Sequence, residues 1–427
     1  MSRLLLLLSL LVGTGRLAPP QTCAHPRPTH DRQAPGRRQK TVTSLPRPLT
    51  AVEDKLVLAD NRFTLKLFRQ VASTTRSDVN LVVSPFSVAT ALAMAYNGAA
   101  GRTHDEMQRS LSLEGMTLQD VNEAYRALPH LLRGLDPQVC FQLANSAWYR
   151  PTFAPISSFL DATRAYFGAQ VRSIDFDAAS AAPTINAWVS DNTAGRIKTI
   201  VPNPIPADVR MYLVNAVYFK GSWTTPFDSS RTHLQLFHLA TGDTTIVRMM
   251  VSSGEVRARL YTEGGVTVLD LPYGGRAFSM TIVLPPTRSD IDSLVRALSD
   301  NRWTAWIRNL APASMFVSLP KFTISSAAAL NTILRDLGMR TAFCGGWATD
   351  FTRLDPTGKT CINDVRHGAW VQVNEEGTEA AAATSLGVGP TSLPPRIVVD
   401  RPFLFAIRER FSGLILFLGQ VMNPAAS

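Results

Sequence analysis

Polar and apolar positions alternate in two distinct rhythms along this chain. In the first third the period is helical. Ser84-Pro85 precedes apolar residues at Val88, Leu92 and Ala95, and Asn97-Gly98 follows. A polar cap, a first-turn proline and a terminal glycine bracket a helix there. Thr103-x-x-Glu106 and Thr117-x-x-Asp120 resemble reciprocal caps opening two more helices, and residues 326–337, ended by Gly338, predict a later one. The middle and the end read as strands. Residues 209–219 are apolar except for Arg210 and Asn215, as expected of a central strand covered on both faces. Segments 232–240 and 244–251 flank Thr241-Gly242-Asp243, and segments 266–272 and 277–284 flank Gly274-Gly275, which are two hairpin signals. Short strands at 397–399, 403–408 and 413–421 complete the chain. Helices first and mixed strands afterwards define an α+β fold.

The ends carry different information. Met1-Ser2-Arg3 and the apolar run 4–12 have the form of a signal peptide, placed at residues 1–18. Cys23 raises a lipoprotein alternative, but Gln21, Thr22 and the prolines 19–20 are poor company for a lipid-bearing cysteine. Residues 19–52 are rich in Pro and Arg and lack apolar periodicity, so they are expected to form a flexible linker. The folded domain is assigned to residues 53–427. No apolar run reaches the roughly 18 residues of a membrane span.

Charge narrows the field further. The 427 residues carry +10, and the first 50 hold eight Lys or Arg against one acid, so +7 of that excess lies in the amino-terminal arm. A near-neutral body argues against a phosphate-tracking groove for nucleic acid. Enzyme signatures are lacking: the chain has no G-x-S-x-G elbow, no phosphate loop, no H-E-x-x-H helix and no dinucleotide fingerprint. His233 and His238 are five apart on a strand and would point to opposite faces, so no metal is implied. Of the four cysteines, Cys344 and Cys361 flank a polar, glycine-containing stretch and are able to close a surface loop, whereas Cys140 lies in an apolar strand and reads as a buried thiol.

The most informative segment runs from Val371 to Thr384. An alternating strand leads through Glu375 and Glu376 to Gly377, and then into small residues. Extended, this segment would put Thr378, Ala380, Ala382 and Thr384 on one face, all small and uncharged. Glu379, Ala381 and Ala383 would lie on the other. Such a segment is able to enter a sheet as a new central strand without burying a charge or overpacking the core. It is equally readable as an Ala-rich helical turn or a linker.

Several motifs, in order, resolve the choice. Asn80-Leu-Val-Val-Ser84-Pro85-Phe-Ser87, Leu213-Val-Asn215-Ala-Val-Tyr-Phe219-Lys220-Gly221-Ser-Trp223, Leu319-Pro320-Lys321-Phe322, Asp400-Arg401-Pro402-Phe403 and Gly419-Gln-Val421-Met-Asn423-Pro424 resemble the serpins, a family of serine protease inhibitors. The resemblance implies three β-sheets, about nine helices and an exposed reactive loop. It implies a metastable, monomeric inhibitor whose partner is a serine protease that becomes acyl-linked when it cuts the loop, and no enzyme activity or cofactor of its own. Matched residue by residue, Glu375 and Gly377 to Ala383 (Gly377, Thr378, Glu379, Ala380, Ala381, Ala382, Ala383) form the hinge. Ser84, Ser87, Asn215 and His367 resemble a polar cluster beneath the opening sheet. Trp223 with Glu375 resembles the place where insertion begins. Residues 117–133, which resemble the heparin-binding helix of some relatives, hold only Arg126 and Arg133 as cations beside Asp120 and Glu123, so no polyanion site is expected there. A non-inhibitory serpin used as a binding, carrier or storage protein is the alternative reading; export to an extracellular or periplasmic space is common to both.

Family spacing sets the scissile bond sixteen residues after the hinge Glu375, between Thr391 and Ser392. Thr391 does not suit a pocket that demands a cation, and it underfills an aromatic one. The implied target has a small, apolar-tolerant pocket, elastase-like or subtilisin-like, and since one methylene in such a pocket is worth only about 1–3 kcal/mol, Leu386 and Val388 stay open as alternative cutting points. Thr391→Arg should redirect inhibition toward trypsin-like enzymes, measured as second-order inactivation rates; unchanged preference would move the assigned bond.

Overall fold

Thr50 opens the first helix with a reciprocal cap: its hydroxyl accepts from the Glu53 N–H, and the Glu53 carboxylate accepts from the Thr50 N–H at 2.8 Å. A computed structural model describes residues 41–345, 349–378 and 394–426. Within them the folded body starts earlier than residue 53. Val42 donates its N–H to Gly275 O at 2.7 Å, Leu49 packs on the core, and Arg47 pairs with Glu53 at 2.6 Å. These contacts fall at the end of the segment expected as a linker over 19–52. The signal-peptide assignment lies outside the described residues.

The described residues form nine α-helices: α1 (Ala51–Thr74), α2 (Pro85–Tyr96), α3 (Gly101–Ser110), α4 (Leu118–Leu132), α5 (Ser157–Phe167), α6 (Ala181–Asn192), α7 (Ile291–Arg296), α8 (Asp300–Asn309) and α9 (Asn331–Asp336). Thr117 and Asp120 form the expected capping box of α4. Thr103 and Glu106 do not cap. They lie inside α3 and are buried, where the Glu106 carboxylate accepts from the N–H and hydroxyl of Thr341, so tertiary partners claim them. The Ser84 side chain caps nothing either; its hydroxyl donates to Leu416 O. The helix expected over 326–337 shrinks to α9. Residues 326–329 belong to a strand because a full ladder outweighs the helical preference of alanine.

The strands form three sheets. A main sheet holds β3 (Gln170–Ser173), β2 (Val139–Tyr149), β4 (Met211–Ser222) and β13 (Gly377–Thr378) in one ladder, and β12 (Arg366–Val373) with β11 (Phe322–Ala329) in another. A second sheet runs β1 (Leu81–Val83), β16 (Ile415–Val421), β15 (Phe403–Glu409), β9 (Phe278–Leu284), β8 (Val266–Tyr273) and β7 (Val256–Glu263). The long β10 (Ala311–Pro320) pairs with β7 through its first half. Its second half joins a third sheet with β6 (Thr244–Ser252), β5 (Phe227–His238) and a parallel β14 (Arg396–Val398).

Both faces of β4 are covered, as its apolar run required. Tyr212 and Val214 join Trp148 and α6 residues Ile185 and Val189 in an outer core, while Met211, Leu213 and Val217 pack on the main core. Helix α2 is apolar nearly all round and sits buried beneath this sheet. Cys344 and Cys361 are disulfide-bonded, with Cα atoms 5.0 Å apart. Cys140 is half-buried and disulfide-bonded rather than a buried thiol. No described helix is long and apolar enough to cross a membrane.

Candidate functional site: a divided main sheet

No ladder joins β4 to β12: the β11–β12 pair and the four-stranded part that ends in β4 and β13 are hydrogen-bonded separately. The chain itself bridges them at one end. After β12, Asn374 and Gly377 exchange backbone hydrogen bonds at 3.0 and 3.2 Å, which reverses the chain and lays Gly377 and Thr378 against Ser222 and Gly221 of β4. Gly377 has φ +149°, and a Cβ there would lie 2.0 Å from Gly221 O. Only glycine fits.

A tight set of contacts fixes this entry. Thr378 is buried, and its hydroxyl lies 2.8 Å from the Tyr273 hydroxyl. The Tyr273 ring stacks on Trp223 with centroids 4.5 Å apart. Trp223 donates its backbone N–H to Glu376 O and its indole N–H to Asn374 O at 3.0 Å. The Glu375 carboxylate accepts from Lys321 Nζ at 2.9 Å and from the Thr232 hydroxyl at 2.8 Å. Burial pushes its pKa up, but the Lys321 ammonium and the hydroxyl outweigh that and hold it below the usual range.

Farther along, β4 and β12 part around a cavity of about 320 Å³ lined by Ser87, Leu92, Leu213, Asn215 and His367 among others. Ser84 and His367 are joined directly: the Ser84 N–H donates to His367 Nε2 at 2.9 Å. Asn215 and Ser87 reach the cavity wall without bonding that pair. The Asn215 amide donates to Asn145 Oδ1 at 2.6 Å, and its own Oδ1 is buried with no hydrogen-bond partner among the described residues. Trp223 lies apart from this cluster, beside Glu375 at the docked end.

Of the expected hinge, Glu375, Gly377 and Thr378 are described. Glu379, Ala380, Ala381, Ala382 and Ala383 lie outside the described residues, as do Thr391 and Ser392. Tyr273, Gly221 and Asn145 escaped the sequence reading because each looks like an ordinary strand residue. Lys321 and Thr232 escaped because nothing local pairs them with Glu375.

With this geometry established, likeness to known proteins becomes informative. A sequence model of the family Serpin (serine protease inhibitor) matches residues 58–424. The leukocyte elastase inhibitor of Sus scrofa is 34% identical over 383 residues, which span 87% of this chain and all of that one. Among solved structures, the thermophilic serpin Tengpin in its native state superposes with a TM-score of 0.78 at 27% identity, covering 91% of this chain and 97% of that one. Human thyroxine-binding globulin, crystallised with its hormone, also gives 0.78, at 28% identity, covering 88% and 100%. The chain belongs to the serpin family.

The buried histidine ties the divided sheet to pH. Burial pushes the His367 pKa down to about 4, and the bond to Ser84 needs Nε2 unprotonated. A folded-state pKa below the unfolded value of 6.5 gives stability that is complete above 6.5 and is lost as pH falls through about 4. Thermal midpoints taken from neutral to acid should fall more steeply in the wild type than in His367→Gln, with roughly 3 kcal/mol at stake. Equal slopes would remove His367 from the account.

Proposed function

We propose that this serpin is exported and inhibits serine proteases by trapping them. The observation that carries the reading is the divided main sheet with Gly377 and Thr378 already seated at its docked end. The protease serine attacks the carbonyl of Thr391, the Thr391–Ser392 bond breaks, and the new amino terminus leaves with Ser392. The hinge stays joined to the enzyme through an ester. Freed at one end, residues 379 onward follow Thr378 between β4 and β12. Inserting about 15 residues at about 3.3 Å each carries the enzyme roughly 50 Å, far enough to distort it before water cleaves the ester.

Two observations support the parts of this reading that geometry alone does not reach. Disulfides at Cys344–Cys361 and at Cys140 suit an oxidising compartment, in keeping with the signal-like start. The small residue before the bond suits an elastase-like or subtilisin-like target, and a relative named for elastase inhibition is consistent with that. Likeness to thyroxine-binding globulin favours the second reading, a serpin serving as a binding, carrier or storage protein. The uncharged inward positions of the hinge weigh against it.

Mixing with an elastase-like protease should give a complex that survives SDS, formed at near-equimolar consumption. In Thr378→Arg the same mixture should give cut serpin and active enzyme, because a guanidinium at the Tyr273 position costs several kcal/mol to bury and shifts the partition by an order of magnitude or more. Cleavage without any trapped complex in the wild type would favour the non-inhibitory reading.

A further inference from the structure

A second concavity lies away from the divided sheet, across β7, β8 and the start of β10. Its volume is about 440 Å³, and Arg257, Arg259, Arg276 and Arg410 converge on it. Arg257 and Arg259 occupy alternate positions of β7 and so share a face. They stand opposite Ser314 and Pro312 of β10 in register, which give the cleft a small floor. Arg276 follows the Gly274-Gly275 turn, and Arg410 follows β15.

The charges do not balance. Asp270 is the one acid lining the cleft, and it is already engaged: its Oδ1 accepts from Arg408 at 2.9 Å and from the hydroxyls of Ser279 and Thr281. Arg408 and Asp270 therefore cancel, which leaves four guanidiniums around the opening. Among the described residues the Arg410 side chain makes one hydrogen bond, Nη1 to Arg276 O at 2.8 Å. Its Nε lies 3.7 Å from Asp270 Oδ2 and is buried with no hydrogen-bond partner among the described residues. Burial lowers the pKa of Arg410, Asp270 works against that, and Arg408, Arg259 and Arg276 lower it further. The side chains of Arg257 and Arg276 make no hydrogen bond or ion pair among the described residues. Converging like charges around a hollow with an unpaired buried donor are costly unless an anion completes them.

We propose that this cleft binds a compact polyanion carrying two or more phosphate or sulfate groups. Guanidiniums grip such groups bidentately, and the cavity holds many times the roughly 30 Å³ share of one water. None of residues 117–133 lines the site, and it is independent of the inhibitory reading.

Calorimetric titration of the full chain at low salt with sodium tripolyphosphate, and separately with sucrose octasulfate, tests it. At least one probe should bind saturably, and Arg257→Ala with Arg276→Ala should weaken that binding by roughly tenfold per arginine. An unchanged thermal midpoint checks that the variant is folded. Binding of the phosphate probe alone marks a phosphorylated ligand, binding of the sulfated probe alone marks a sulfated saccharide, and either upholds the site. A control pair, Arg109→Ala with Arg133→Ala, should change affinity by less than about threefold. Absence of saturable binding by both probes, or an equal loss in the control pair, overturns the proposal.

Discussion

The feature on which everything else depends is a missing set of hydrogen bonds. Two strands that line one cavity, β4 and β12, have no ladder between them. Unpaired strand edges are templates for another strand, and buried polar atoms without partners are expensive to keep. Here a cavity separates the two strands, and the buried Asn215 Oδ1 has no hydrogen-bond partner among the described residues. On the proposed reading, the native fold sits above a more fully bonded arrangement and is kept from it because the segment that would fill the gap is tethered at both ends.

The docked end shows how that arrangement is primed. Gly377 passes so close to Gly221 that neither backbone leaves room for a Cβ on the hinge. Thr378 is small enough to lie under Tyr273 and polar enough to satisfy its hydroxyl. Trp223 and Lys321 grip the turn just before it through Asn374 O, Glu376 O and the Glu375 carboxylate. These contacts involve residues up to Thr378, so on the proposed reading they would set the entry of the segment that follows without opposing its advance.

Much of this was legible in the sequence, and for physical reasons. Period-two stretches with Gly-containing turns gave correct hairpins at β5–β6 and β8–β9, since turn chemistry and alternation agree there. The run of small residues after Gly377 is visible in composition alone, and from Glu379 onward it lies outside the described residues. Long-range partners erased the local signals elsewhere. Glu106 looked like a capping residue until Thr341, 235 residues away, claimed it. Residues 326–329 looked helical until β12 paired with them. Cys140 looked like a core thiol because a disulfide leaves no mark on its neighbours in the chain. Tyr273 was invisible as a site residue, because its importance lies in what it touches.

Hydrogen–deuterium exchange, recorded before and after the loop is cut by a catalytic amount of protease, tests the central claim most directly. Amides of β4 and β12 that face the gap should exchange readily in the intact protein and become strongly protected in the cut one, while the β8–β9 hairpin stays unchanged. Identical exchange of β4 and β12 in both forms would mean that no strand enters between them, and that the divided sheet is not the source of this protein's function.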